Sequence, residues 1–271
     1  MRYVILHHHI FKNAGTSLDS ALSRSFGDSF ATLEIDGAHV VQSDELFGLL
    51  ERKANLKAVS SHAFHGQDFR SEEHSKRYLF FDFAMIRRPM SRFLSIYKHY
   101  QRMSSNDPLC VSASRGTARE FYDYAINRHP HLVNDPQVLI FANHGVYSRP
   151  QGADDLSRAW QRLKAFSLVA PIERYDEAMV ALEYFLAPAW RSQRLDFAYR
   201  RQNVANSSGD DVLSQILLGS RNFHWLERAN RLDEQLWKHA DEELSRRICL
   251  VPDFEARLRD FRLRCAAMVE G

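Results

Sequence analysis

The chain has 271 residues, long enough for one large domain or two small ones, and its 45% hydrophobic content can fill a substantial core. A net charge of +2 lacks the strongly basic balance of a protein that coats nucleic acid. Three cysteines, Cys110, Cys249 and Cys265, are too few and too scattered for a disulfide framework or a zinc site, and no run approaches the ~20 apolar residues of a membrane span.

Tyr3, Val4, Ile5 and Leu6 form a short apolar run of the kind found in a strand buried on both faces of a parallel sheet. His7 and His9 then share one face and His8 takes the other. A metal site there lacks a carboxylate or cysteine close by in sequence, so packing or hydrogen bonding is the expected role of the three histidines. Lys12, Asn13, Ala14, Gly15, Thr16 and Ser17 make a small polar turn, after which Leu18, Leu22 and Phe26 recur at helical spacing. Thr16 or Ser17 is the expected N-cap. Strand, tight loop and helix start together form an arrangement suited to a phosphate or sulfate. It is not a Walker A loop, because Lys12 precedes the glycine.

Residues 28–55 are mixed and end in a helical piece, Asp44 to Lys53. Leu56 to Ser61 reads as a second strand running into His62, followed by a loop of Phe64, His65 and Gly66. In open α/β sheets ligands gather at the carboxyl ends of strands, which puts His62 where it could reach an anion held by the first loop. Residues 67–77 read as a charged surface helix or loop. Tyr78 to Ile86 is the most strand-like run and leads into Arg87-Arg88-Pro89; a helix is expected over Pro89 to Arg102. Its apolar face is Phe93, Ile96, Tyr97 and Tyr100, and its other face carries Arg88, Ser91, Arg92, Ser95 and His99. A second strand-to-helix junction with cations and hydroxyls suits a ligand with two separated anionic groups.

Further on, residues 103–116 read as loop and 117–129 as helix. Gln137 to Asn143 is a short apolar segment, and residues 148–153 are an insertion or lid. Asp154 to Ala165 is helix, Phe166 to Ile172 a buried strand and Asp176 to Leu186 helix. Residues 188–211 form a long arginine-rich loop, with Arg191, Arg194, Arg200 and Arg201 facing solvent or an anionic ligand. Amphipathic helices run from Leu232 to Ile248 and from Phe254 to Met268. The expected fold is α/β: one P-loop-like domain over residues 1–271, a central parallel sheet flanked by helices, and a mainly helical C-terminal part.

Taken together these motifs resemble the sulfotransferases that use 3′-phosphoadenosine 5′-phosphosulfate (PAPS), and most of all the branch with the heparan sulfate 2-O- and 6-O-sulfotransferases and bacterial carbohydrate sulfotransferases. His9-Ile10-Phe11-Lys12-Asn13-Ala14-Gly15-Thr16-Ser17 is similar to that family's 5′-phosphosulfate loop. Arg87-Arg88-Pro89-Met90-Ser91-Arg92-Phe93-Leu94-Ser95-Ile96-Tyr97 is similar to its 3′-phosphate motif. Ser61-His62 matches a strand-end Gly-His. Ile172-Glu173-Arg174-Tyr175-Asp176-Glu177 and Asp233-Glu234-Gln235-Leu236-Trp237 resemble two later motifs. Phe11, Asn13 and Arg88 depart from the usual residues.

The resemblance implies PAPS as donor and no metal. Lys12, Asn13, Ala14, Gly15, Thr16 and Ser17 would hold the 5′-phosphosulfate, Lys12 also offsetting charge on the leaving phosphate. Arg87 and Ser95 would hold the 3′-phosphate. His62 would be the general base, with His65 as the fallback. The acceptor implied is a hydroxyl on a glycan or glycoconjugate. The expected location is cytoplasmic, in a bacterium, since the chain enters its first strand without room for a signal peptide; a luminal domain parted from its anchor is the alternative. Two other readings stay open: a P-loop-like nucleotide kinase, and a nucleotide-binding module without turnover.

Overall fold

The computed structural model describes residues 1–34, 40–70, 76–191, 195–199 and 216–270. Its strands are β1 (Arg2–His8), β2 (Phe30–Thr32), β3 (Ala58–Ser61), β4 (Tyr78–Ile86) and β5 (Leu168–Pro171). They form a single parallel sheet in the order β2-β3-β1-β4-β5. β1 lies at its centre, with His8 level with Ser61 on one side and with Ala84 on the other. The chain leaves β1 toward the β2 edge and leaves β4 toward the β5 edge. The carboxyl ends of β1 and β4 are therefore the topological switch point, where open α/β sheets bind ligands.

The helices are α1 (Gly15–Phe26), α2 (Ser43–Arg52), α3 (Pro89–Arg102), α4 (Pro108–Arg115), α5 (Ala118–Arg128), α6 (Pro130–Val133), α7 (Pro136–Asn143), α8 (Ala153–Leu163), α9 (Tyr175–Leu186), α10 (Ser220–Ala229), α11 (Arg231–Ile248) and α12 (Phe254–Glu270). The chain divides into two compact units. The first, Met1–Ile86 with Gln161–Asn203 and His239–Gly271, holds the sheet. The second, Arg87–Trp160 with Val204–Lys238, holds helices and no strand among its described residues.

In the first unit the period-two alternation of β1 sorts its side chains. Ile5 joins Leu18 and Leu22 of α1, Met179 of α9 and Phe261 of α12 in one core. Val4 and Leu6 join Leu46 and Leu50 of α2, with Phe64 and Phe69, in the other. Fully burying side chains of this size contributes about 1.5–3 kcal/mol each, so helices on both faces hold β1 in register.

The predicted strands and most predicted helices are present, with several differences, among them the short α6, which has no predicted counterpart, and α7, a helix in the segment that reads only as apolar. β2 is a three-residue edge strand inside residues that read as mixed. α4 occupies a stretch that reads as loop: the Asp107 side chain accepts from the Leu109 amide at 2.7 Å and Pro108 supplies a preset first turn. α10 has no counterpart among the predicted helices. The N-cap of α1 is neither Thr16 nor Ser17 but Ala14, in left-handed backbone, because the loop turns on positive φ at Lys12 and Ala14 and helical geometry begins at Gly15.

In the second unit two helix N-termini cap each other. Asp135 (φ 43°) precedes α7, yet its carboxylate accepts from the Leu232 and Asp233 amides at the start of α11, at 2.9 and 2.8 Å. Asp233 in return accepts from the Gln137 and Val138 amides at the start of α7, at 3.1 and 2.8 Å. Burial and the neighbouring Asp233 push Asp135 up to about 8. Its folded value lies above its unfolded one, so the stability it lends is full below the ordinary carboxylate range and is lost as pH rises through about 8. Asp135→Ala should lower stability by about 1–2 kcal/mol, read as a lower urea midpoint. Asp135→Asn keeps an acceptor, tolerates left-handed backbone, and should lose little while removing the decline that runs from the ordinary carboxylate range up to about pH 8. Equal losses in both variants would show that capping is not its contribution.

Candidate active site

The loop after β1 reverses direction through two non-glycine residues of positive φ, Lys12 (65°) and Ala14 (61°). Such backbone is unfavourable for residues with a Cβ and persists where surrounding contacts hold it. Those contacts are present. The buried Asn13 side chain donates to the Met85 carbonyl at the end of β4 at 2.8 Å. Its amide donates to the Ile10 carbonyl at 3.1 Å, and Ser17 N–H donates to the Ala14 carbonyl at 3.1 Å. Alternating backbone handedness is how loops gather amides into a concave anion nest, and the first amides of a helix have no carbonyl within it to bond. Thr16 is exposed, Ser17 half-buried, and the half-buried Lys12 holds its Nζ 5.9 Å from the Phe11 ring centroid. Lys12, Ala14, Gly15, Thr16 and Ser17 are thus together at the helix start, while the Asn13 side chain faces inward as an anchor.

Gly15 has a different reason. A Cβ there would lie 2.0 Å from Cδ2 of His9, so the imidazole packs on the glycine itself. His9 is level with His62 across the parallel register, its amide donating to the Ser61 carbonyl at 3.1 Å, and the two rings lie 3.8 Å apart between centroids. His62 is the first residue after β3, as predicted, with its rim open to solvent and one face covered by His9. Partial burial, then the His9 ring, lower its pKa from the ordinary histidine value; Glu34, a hydrogen bond with the His9 backbone, and Asp19 pull weakly the other way. His65 sits three residues on, half-buried and in left-handed backbone (φ 43°).

His7 and His9 share the α1 face and His8 takes the other, as the alternation requires. No carboxylate lies close to them in sequence, but in the fold α1 brings Asp19 against both, and their role is the expected hydrogen bonding. His7 Nδ1 lies 2.8 Å from Asp19 Oδ1, and His9 Nδ1 2.9 Å from Oδ2. The three offer ligand atoms within 4.8 Å of one another, a spacing that would also accept a metal ion. On the opposite face His8 is structural. Its Nδ1 accepts from the Gly66 amide at 3.2 Å, which leaves Nε2–H to donate to Asp82 at 3.0 Å; Arg70 completes that cluster.

In the second unit Arg87 opens the turn into α3. Its backbone is clamped on both sides by the buried Gln137, whose Oε1 accepts from Arg87 N–H at 2.9 Å and whose Nε2 donates to Arg87 C=O at 2.8 Å. Arg87 Nε donates to Ser91 Oγ at 2.9 Å, and Ser95 follows one turn later on the same stripe, half-buried. Arg92 departs from the predicted polar face: it is buried, and burial lowers its pKa while Asp233 and Tyr122 oppose the shift.

Residues 1–144 match the sulfotransferase family. The chain belongs to that family. An uncharacterized protein of Archaeoglobus fulgidus is 27% identical over 190 residues, covering 67% of this chain and 72% of the relative.

The later motifs of this sulfotransferase support its earlier ones. Asp233, besides capping α7, accepts from Gln137 Nε2 at 3.2 Å and so holds the clamp on Arg87. Trp237 lies under Arg88 at 4.9 Å, and Glu234 is 3.7 Å from the same guanidinium, which accounts for the cation at position 88. Arg174 bonds Glu177, Asp241 and Ser245, tying α9 to α11 in the first unit. Arg191 lines a cavity of about 960 Å³ with Tyr184, Arg257 and Arg264. That cavity's walls include neither the Lys12 loop nor His62. Arg194, Arg200 and Arg201 lie outside the described residues. Gln137 escapes sequence reasoning because its partner is fifty residues away in sequence, and Asp19 because only helix packing delivers it.

Burial lowers His7 to about 4 from 6.5, with hydrogen bonding to Asp19 opposing the shift. A histidine whose folded value is depressed costs stability as pH falls, because the unfolded chain takes up a proton that the fold refuses. Urea unfolding should therefore show stability declining between pH 6.5 and 4, by about 3 kcal/mol from this group alone. His7→Gln should flatten that decline; an equally steep decline in the variant would assign it to other groups.

Proposed function

We propose that this sulfotransferase moves a sulfuryl group from PAPS to an acceptor hydroxyl on a carbohydrate. The observation that carries the reading is the loop after β1: a lysine, two left-handed residues and a helix start at the sheet's switch point, with an exposed histidine beside it. We read the Lys12–Ser17 loop as the holder of the 5′-phosphosulfate. Arg87 and Ser95, with Ser91 orienting the guanidinium, are the holders of the 3′-phosphate. The clamp of Gln137 on the Arg87 backbone supports that role, because a phosphate contact needs a fixed guanidinium. Among the described residues no helix is long and apolar enough to cross a membrane, and the three cysteines are free, which accords with a reducing, cytoplasmic setting.

In this reaction the acceptor oxygen attacks sulfur and the bond from sulfur to the bridging oxygen breaks. The products are a sulfate ester and 3′-phosphoadenosine 5′-phosphate. Lys12 offsets the charge that collects on the bridging oxygen, and loop amides stabilise the leaving phosphate. The acceptor proton passes to His62, which is neutral near pH 7 because its pKa is depressed. Cations and amides supply what magnesium supplies to a triphosphate, so donor binding needs no metal in this reading. A carbohydrate acceptor rests on the resemblance to the branch with heparan sulfate 2-O- and 6-O-sulfotransferases, and a screen of glycans with labelled donor tests it.

Calorimetry in EDTA should show saturable binding of 3′-phosphoadenosine 5′-phosphate. Arg87→Ala should weaken it by about 1.5–3 kcal/mol and leave the analogue without the 3′-phosphate nearly unaffected. An absolute need for magnesium, a preference for ATP, or equal loss with both nucleotides would overturn the donor assignment.

His62→Ala should lower turnover by ~10²–10⁴-fold with nucleotide affinity unchanged. The acidic limb of the wild-type rate should have its midpoint below the ordinary histidine value, since the active base is the neutral form and its pKa is lowered. Near-full activity in His62→Ala, with loss in His65→Ala, would move the base to His65.

A further inference from the structure

We propose that Asp19 and His9 form a positioning pair that fixes the orientation of His62; the inference rests on His62 being the base. The pair begins at α1, whose face toward β1 presents Asp19 to two rings at once. Burial alone would raise the carboxyl, but hydrogen bonds from His7 and His9 outweigh it and hold Asp19 well below the usual carboxylate range. An ionised Asp19 only accepts, so His7 and His9 both carry their proton on Nδ1. Their tautomers are thereby set.

His9 cannot turn away from that bond. His7 stacks on it, with centroids 5.2 Å apart and planes 20° apart. Gly15 lies against its Cδ2–Nε2 edge, close enough that no Cβ fits. His62 lies against it at 3.8 Å. Its side chain is only 10% exposed, so it does not meet an acceptor itself and acts through its neighbour. His62 leans on this fixed ring, which covers one face of its imidazole and so holds its plane in one orientation. The charged and titratable groups acting on His62 come from three elements: His9 after β1, Asp19 on α1, and Glu34 after β2.

Two variants test the pair. Asp19→Asn cannot accept equally from both rings. His9→Asn keeps an N–H toward Asp19 and removes the ring that His62 rests on. Long-range nitrogen–proton spectra of the imidazoles, with His62 assigned by its loss in His62→Ala, read tautomer and titration without any acceptor. The wild type should show His62 in one tautomer. Both variants should show a mixture of tautomers. With an acceptor found in the glycan screen, each variant should lose roughly 10- to 100-fold in kcat, and Asp19→Asn should cost nothing more in a His62→Ala background. An unchanged His62 tautomer in both variants overturns the positioning pair, whatever the rates do. A full-rate His62→Ala enzyme overturns the base assignment, and with it any catalytic use of the pair. Activity lost to EDTA and restored by zinc also overturns the pair, in favour of a metal on His7, His9 and Asp19. Should Asp19→Asn fail to fold, the His9→Asn spectra decide between the same outcomes.

Discussion

The parallel register of β1 with both neighbours governs the carboxyl edge of the sheet. It sets His8 level with Ser61 and Ala84, which makes His9 and His62 neighbours and brings the Lys12 loop over the end of β4. A slip of one residue would turn His7 and His9 from the α1 side to the α2 side. Asp19 would then face Leu6 and His8, and the half-buried carboxylate would lose its present donors, His7 and His9. The register is held by packing on both faces, since Ile5 and Val4 belong to separate cores that cannot exchange without burying histidine among leucines.

The second unit reaches a comparable rigidity with polar groups. Asp135 and Asp233 exchange caps, and the amide of Gln137 joins that exchange to the backbone of Arg87. Leaving any one of these buried groups unpaired costs about 1–3 kcal/mol, so the network forms as a whole. An acid late in the chain thus acts on an arginine far upstream: Asp233 holds Gln137, the residue that holds the Arg87 backbone.

Some parts of this arrangement are legible in the amino-acid order and others are not. Tyr78 to Ile86 can be read because a fully buried parallel strand is continuously apolar, and Pro89 to Arg102 because proline fixes a first turn and the apolar spacing continues it. α4 carries a start signal in Asp107-Pro108, but its helix is short and half polar, so periodicity does not support it. The Lys12 loop is visible from composition, yet its cap is not, because hydroxyl residues suggest side-chain capping where the backbone turns on left-handed residues. Asp19 is invisible as a partner of His7 and His9, since helical periodicity says which residues share a face and not which strand residue that face will meet. Gln137 carries no signal of its own, as an amide inside an apolar segment.

The Lys12 loop is closed before any ligand arrives. Asn13 ties it to β4, the His9 ring fills the space beneath Gly15, and its two left-handed residues are held by those contacts. A loop in this condition has no ordering entropy left to lose and no closing step to wait for. On the proposed reading of this loop as an anion holder, capture is governed by encounter, and its rate should follow ionic strength more than temperature. The time an anion stays then reports the bonds themselves.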